Sequence, residues 1–169
     1  MSDETTRRTF LYTGLAGMSL AAVVAANAAE TTETETGNEA RQARMAMREG
    51  KWRTGTTYKC PGYVQCSMVV LRREWAYDML VYCQRNPKPC ALIEVTDPGV
   101  YEPKFSAPGA DLRTDLPKFA IYRNGVRGDD VTDIKDLWTD DSVAFLIGSS
   151  LTFDYALVRA GVPRSTWGR

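Results

Sequence analysis

Small and apolar residues at Ala40, Ala43 and Met47 recur at helical spacing between Asn38, a good N-cap, and Gly50, a good stop, which predicts a helix over Glu39 to Glu49. Trp52 to Pro61 is rich in Gly, Thr and Pro and reads as a loop. Tyr63 to Leu71 carries Val64, Met68, Val69 and Val70 and predicts a buried strand. From Glu74 to Arg85 the spacing puts Trp75, Met79, Leu80 and Cys83 on one helical face, and Asn86-Pro87 ends that helix because a residue before proline avoids the helical region. The continuous run Ala91-Leu92-Ile93-Glu94-Val95 predicts a second strand buried on both sides, so the helix between the strands is a crossover.

Thr96 to Pro117 holds Pro98, Pro103, Pro108 and Pro117 and is expected to be one long irregular segment; such segments in compact domains are usually functional. Asn124-Gly125 between Phe119–Tyr122 and Val126 predicts a hairpin. A helical turn is expected over Asp133 to Trp138. Val143 to Ile147 reads as a last buried strand, and Gly148-Ser149-Ser150 hands it to a helix over Leu151 to Ala160, stopped by Gly161 and Pro163. The expected architecture is α/β, a mixed and largely buried sheet with crossover helices in one domain.

The N-terminal segment reads as an address. Arg7-Arg8 with Phe10-Leu11, a weakly apolar run from Leu15 to Ala26 and then Ala26-Asn27-Ala28 match an export signal cleaved after Ala28, with paired arginines of the twin-arginine type. The run falls short of the roughly 20 apolar residues that span a bilayer, so no stable membrane anchor is expected after cleavage. Residues 29–37 are acidic and Thr-rich and are expected to form a disordered spacer. The expected location is the periplasm or extracellular space if the signal is used, and the cytoplasm otherwise.

Composition narrows the chemistry. The 169 residues include no histidine, which excludes Ser-His-Asp and Cys-His nucleophilic catalysis and His-ligated zinc. Acid-base work falls to carboxylates, Lys, Tyr or Cys. Lys+Arg 21 against Asp+Glu 21 leaves no basic excess for nucleic acid. Cys60, Cys66, Cys83 and Cys90 form no paired C-x-x-C knuckles, and neither metal nor cofactor is expected; their disulfide pairing stays open.

Three segments can carry binding or chemistry. The Gly148-Ser149-Ser150 bend offers backbone N–H groups and hydroxyls at a helix start, an anion cradle on one reading and plain capping by Ser150 or Thr152 on the other. The Gln84-to-Cys90 turn presents Arg85 and Lys88, which either bind a substrate carboxylate or complement the helix C-terminus. In the long segment, Asp111 and Asp115 flank Arg113, as an acid-base pair or as a self-satisfied staple. Adjacent Asp140 and Asp141 carry little weight.

The runs Pro61-Gly62-Tyr63-Val64-Gln65, Cys83-Gln84-Arg85-Asn86-Pro87-Lys88-Pro89-Cys90, Ala107-Pro108-Gly109-Ala110-Asp111-Leu112-Arg113-Thr114-Asp115-Leu116-Pro117 and Phe145-Leu146-Ile147-Gly148 resemble, in order, the hydro-lyase family that includes D-glutamate cyclase. The likeness covers Glu39 to Arg164. It implies an α/β fold and a carbon–oxygen lyase; in the cyclase, D-glutamate loses water to give 5-oxo-D-proline. Relatives usually continue well past the last helix, so residues 38–169 are expected to be such a domain incomplete at its C-terminus. Relatives commonly read Gly-Cys-Ser where this chain has Gly148-Ser149-Ser150, and Ala-Asn where it has Cys66-Ser67.

On chemical grounds the expected site uses Arg85, Lys88 or Arg113 for the substrate carboxylate, with Gln65, Gly148 and Ser150 as further binding groups. Asp111, Asp115 and Ser149 are the catalytic candidates, the aspartates for proton transfer and the bend for the oxyanion. The expected partner is a small carboxylate or amino acid, and a homo-oligomer is compatible with the sequence. The competing reading is an exported, non-catalytic small-acid-binding module or an inactive truncated relative.

Overall fold

The computed structural model describes residues 39–57 and 59–162. The expected signal peptide, spacer, Asn38 cap and Pro163 stop lie outside the described residues. Residues 39–48 are helical, here α1. That helix stops at Gly50, whose φ of 70° lets its N–H return to Met47 O at 2.9 Å. Then follow β1 (Cys66–Arg72), α2 (Arg73–Arg85), β2 (Leu92–Val95), β3 (Phe119–Arg123), β4 (Val126–Val131), a 3-10 turn (Lys135–Leu137), β5 (Ser142–Gly148) and α3 (Leu151–Arg159).

The main sheet has the order β1-β5-β2, with β5 antiparallel to both neighbours. Its two outer strands therefore run the same way, and α2 is the crossover between them, with β5 filling the gap. β5 takes the centre because Val143, Ala144, Phe145 and Leu146 are all buried, the pattern of a strand covered on both faces. On one face Ala144 and Leu146 pack with Leu112, Met68, Val70, Leu116 and Trp138. Strand alternation puts Val143 and Phe145 on the other face, and α2 packs against β1 and β5.

The inward stripe of α2 is Ala76, Met79 and Cys83, spaced three and four apart, and of these Cys83 is fully buried. Trp75 and Leu80, expected on that stripe, are exposed. The helix covers a narrow sheet, so only one line of side chains reaches it. The first strand also starts later than expected, at Cys66, because Tyr63–Gln65 turns toward α3 before pairing begins: Gln65 N–H donates to Thr152 Oγ1 at 3.0 Å.

The hairpin β3–β4 turns at Asn124 and Gly125, with φ of 50° and 77°, the paired left-handed geometry that Asn-Gly favours. Thr96 to Pro117 is irregular, as expected, yet it is the second wall of the core. Pro103, Ala110, Leu112, Thr114 and Asp115 are buried in it. Glu94, the charged residue in β2, anchors its start by accepting the backbone N–H groups of Lys104 (2.6 Å), Phe105 (3.2 Å) and Ser106 (2.8 Å). Burial alone would raise the Glu94 pKa, but these bonds outweigh it and hold it below the usual carboxylate range. No described helix is long and apolar enough to cross a membrane.

Candidate functional site

α1, residues 52–57 and 59–66 and the 106–116 stretch line a cavity of about 500 Å³. Its polar side chains include Arg44, Lys59, Cys60, Gln65 and Asp115. The cavity exists because α1 is pinned to the long segment. Arg48, one turn after Arg44, makes a two-pronged pair with Asp115: Nε to Oδ1 at 2.6 Å and Nη2 to Oδ2 at 2.7 Å. The Asp115 side chain is 1% exposed and also accepts the Asp111 N–H (2.9 Å) and the Thr114 hydroxyl (3.0 Å).

Arg44 is different. Its Nε is buried and has no hydrogen-bond partner. A buried guanidinium N–H without an acceptor is costly and uncommon in native structures, and in a cavity wall it is a ready donor to an entering carboxylate. Lys59 adds a second cation to the wall, its ammonium 5.8 Å from the Trp52 ring centroid. Cys60, next to Lys59 in the same wall, has φ of 51°, a left-handed conformation that costs a non-glycine residue. Burial raises its thiol pKa and Glu39 adds to the rise, while Arg44 and Lys59 pull it down; the net direction is upward, so the group is a protonated thiol at neutral pH.

Of the residues singled out in the sequence, the structure brings Gln65 and Asp115 to this cavity. The Gln65 amide is engaged with Thr56, donating to its carbonyl at 3.0 Å. Asp115 is saturated by Arg48 and its neighbours, which suits a clamp better than proton transfer. Asp111 and Arg113 form the self-satisfied staple: Arg113 Nε and Nη2 each reach Asp111 at 2.9 Å, and the guanidinium stacks 3.4 Å from the Tyr101 ring centroid. Burial alone would raise the Asp111 pKa; the hydrogen bonds and charge of Arg113 overcome this and lower it, so it stays ionised.

The bend after β5 is no open amide cradle. Gly148 N–H donates to Ala91 O and Ser149 N–H to Gln65 O, both at 2.8 Å. Capping falls to Ser149, whose Oγ accepts Leu151 N–H at 3.3 Å, rather than to Ser150 or Thr152. Gly148, Ser149 and Ser150 line neither the cavity nor the adjoining groove of about 690 Å³ that shares its Lys59–Gln65 wall and reaches Thr152. Gln65 is the link between the two regions, facing the cavity while its carbonyl takes the Ser149 amide. Arg85 and Lys88 are exposed and line neither space. Sequence reasoning missed Arg44 and Arg48, although their four-residue spacing beside Ala43 and Met47 on one helix was a readable signal.

No family model matches the chain. It is 52% identical over 120 residues to a protein of Stutzerimonas stutzeri, covering 71% of this chain and 45% of that one. Over 123 residues it is 50% identical to a Geobacillus kaustophilus protein, covering 73% and 47%. Against YcsI of Bacillus subtilis the figure is 45% over 122 residues, covering 72% and 48%. Each bears the description "Putative hydro-lyase". This chain is homologous to proteins named as hydro-lyases. It spans about half the length of the curated relatives it matches.

Proposed function

We propose that this domain works as part of a hydro-lyase that binds a small amino or carboxylic acid in the α1 cavity, with D-glutamate as substrate and 5-oxo-D-proline as product. The observation that carries the reading is the unpartnered Arg44 Nε in the cavity wall; the homology to hydro-lyases supports the reaction class. Arg44 holds the substrate α-carboxylate. Its planar fork suits a carboxylate better than a lysine would. Lys59 faces the side-chain carboxyl and stabilises the oxyanion that forms when the neutral α-amine attacks that carbon. The protonated thiol of Cys60 donates a proton to the departing hydroxide, and the amine proton returns to the thiolate, so one C–N bond forms, one C–O bond breaks and water leaves. Asp111, Arg113 and Asp115 hold the wall in shape.

The test has two arms. D-glutamate and 5-oxo-D-proline are expected to raise the melting temperature of the protein, because a ligand selective for the folded state stabilises it by mass action. Chiral chromatography of D-glutamate incubations is expected to show 5-oxo-D-proline. Binding without turnover favours a non-catalytic small-acid-binding module; neither binding nor turnover removes the proposal.

A further inference from the structure

The turn between α2 and β2 lies apart from the cavity, and it brings two cysteines close together. Cys83, in the last turn of α2, is fully buried, and Cys90, just before β2, is partly buried; both are free. The chain between them doubles back tightly. Asn86 closes the helix, its N–H on Tyr82 O and Cys83 O at 3.1 Å and its Nδ2 on Tyr82 O at 2.8 Å. Cys90 N–H then returns to Asn86 O at 3.0 Å. Pro87 and Pro89 stiffen the return. Asn86 thus bonds to both cysteines through the backbone, its N–H on Cys83 O and its carbonyl taking Cys90 N–H, so that the two thiols are neighbours across one turn. Arg85 and Lys88 stand exposed on the same turn.

We propose that Cys83 and Cys90 are a dithiol site that a small anionic disulfide, such as glutathione disulfide, oxidises to an intramolecular bridge. Arg85 and Lys88 draw the oxidant in by charge. Cys90, the more accessible thiol, attacks as thiolate on one sulfur of the oxidant and displaces the first thiol. Cys83 then gives up its proton and attacks the Cys90 sulfur, displacing the second. Two S–H bonds are lost and one S–S bond is formed, and two electrons reduce the oxidant to two thiols. Burial, and then the neighbouring Cys90, raise the Cys83 pKa, which fits it to the second, resolving step rather than the first. The bridge ties the end of α2 to the start of β2 and closes a short loop.

Reduced protein is equilibrated in glutathione buffers of stepped reduced-to-oxidised ratio, quenched with iodoacetamide under denaturing conditions and digested with trypsin. Cleavage after Arg85 separates the two cysteines, so the bridge is read as a linked peptide pair. The expected result is a Cys83–Cys90 link at ratios where Cys60 and Cys66 are still alkylated, reversed by dithiothreitol and accompanied by a higher melting temperature. In Cys83→Ser, Cys90 is expected to stop at the glutathione adduct. Full alkylation of Cys83 and Cys90 at the most oxidising ratio overturns the proposal, as does pairing of either with Cys60 or Cys66. The wild-type peptide map decides the matter even if the variant folds poorly.

Discussion

Arg48 and Asp115 lie 67 positions apart in sequence, yet they meet through two hydrogen bonds of 2.6 and 2.7 Å and so fasten α1 to the long segment that covers the sheet. The carboxylate end is buried, whereas the Arg48 side chain keeps 38% of its exposure. Removing the arginine leaves a buried carboxylate to which, among the described residues, Asp111 N–H and the Thr114 hydroxyl still donate. Arg48→Ala is expected to cost about 2–3 kcal/mol, below the full buried-pair figure because one partner is half in water. Urea unfolding of Arg48→Ala, Asp115→Ala and the double variant measures it. The double variant is expected to lose clearly less than the two singles summed; strict additivity means the pair is not coupled.

Arg44, four residues earlier, is expected to behave in the opposite way. Its buried Nε gains nothing from the protein, so Arg44→Met keeps the bulk and removes the unsatisfied group. Stability by urea or thermal unfolding is expected to stay level or rise by up to about 1 kcal/mol. A large loss would show that Arg44 is held by the fold for the fold's sake.

Glu94 and Asp111 set the acid limit of stability. Both carboxylates have folded pKa values below their ordinary ones. In the unfolded chain they bind protons first as pH falls, so their stabilising contribution is complete above the ordinary carboxylate range of about pH 4 and is lost as pH drops through the depressed folded values. Unfolding free energy is expected to fall steeply below pH 4. Glu94→Gln is expected to lower stability at pH 7 by about 1–3 kcal/mol and to flatten that acid slope. An unchanged slope would remove Glu94 from the explanation.

Glycine substitutions separate strain from crowding. Gly99, Gly109 and Gly125 all have positive φ, but a Cβ at Gly99 would come within 3.2 Å of the Asp140 backbone, while nothing lies within 4 Å at the other two. Gly109→Ala and Gly125→Ala are expected to cost about 1 kcal/mol each for the left-handed backbone. Gly99→Ala is expected to cost more, because the Trp138 Nε1 bond to Gly99 O (3.0 Å) and the Gly99 N–H bond to Ser142 O (2.8 Å) hold it against that neighbour. Melting temperatures of the three variants give the ranking; equal losses would leave only the backbone term.

What could be read from the sequence was mostly local. Asn124-Gly125 determines its own turn geometry, Asn86-Pro87 ends its own helix, and the apolar run of β5 marks a strand covered on both sides. The Asp111–Arg113 staple was also within reach because its partners are two residues apart. What escaped depends on distance along the chain: Arg48 has to find Asp115, and the N–H groups of 104–106 have to find Glu94. A charged residue inside the apolar run Ala91–Val95 was a sign that some buried partner awaited it, but periodicity could not say which. Arg85 and Lys88 drew attention by charge alone, and they stand outside the cavity because their turn faces solvent.

Isothermal titration of D-glutamate and 5-oxo-D-proline into the wild-type protein and Arg44→Met tests most directly whether Arg44 anchors a carboxylate in the cavity. Saturable binding to the wild type, weakened about 10- to 100-fold in a variant that unfolds at the same or a higher temperature, is the expected result. Equal affinity in both proteins would contradict it.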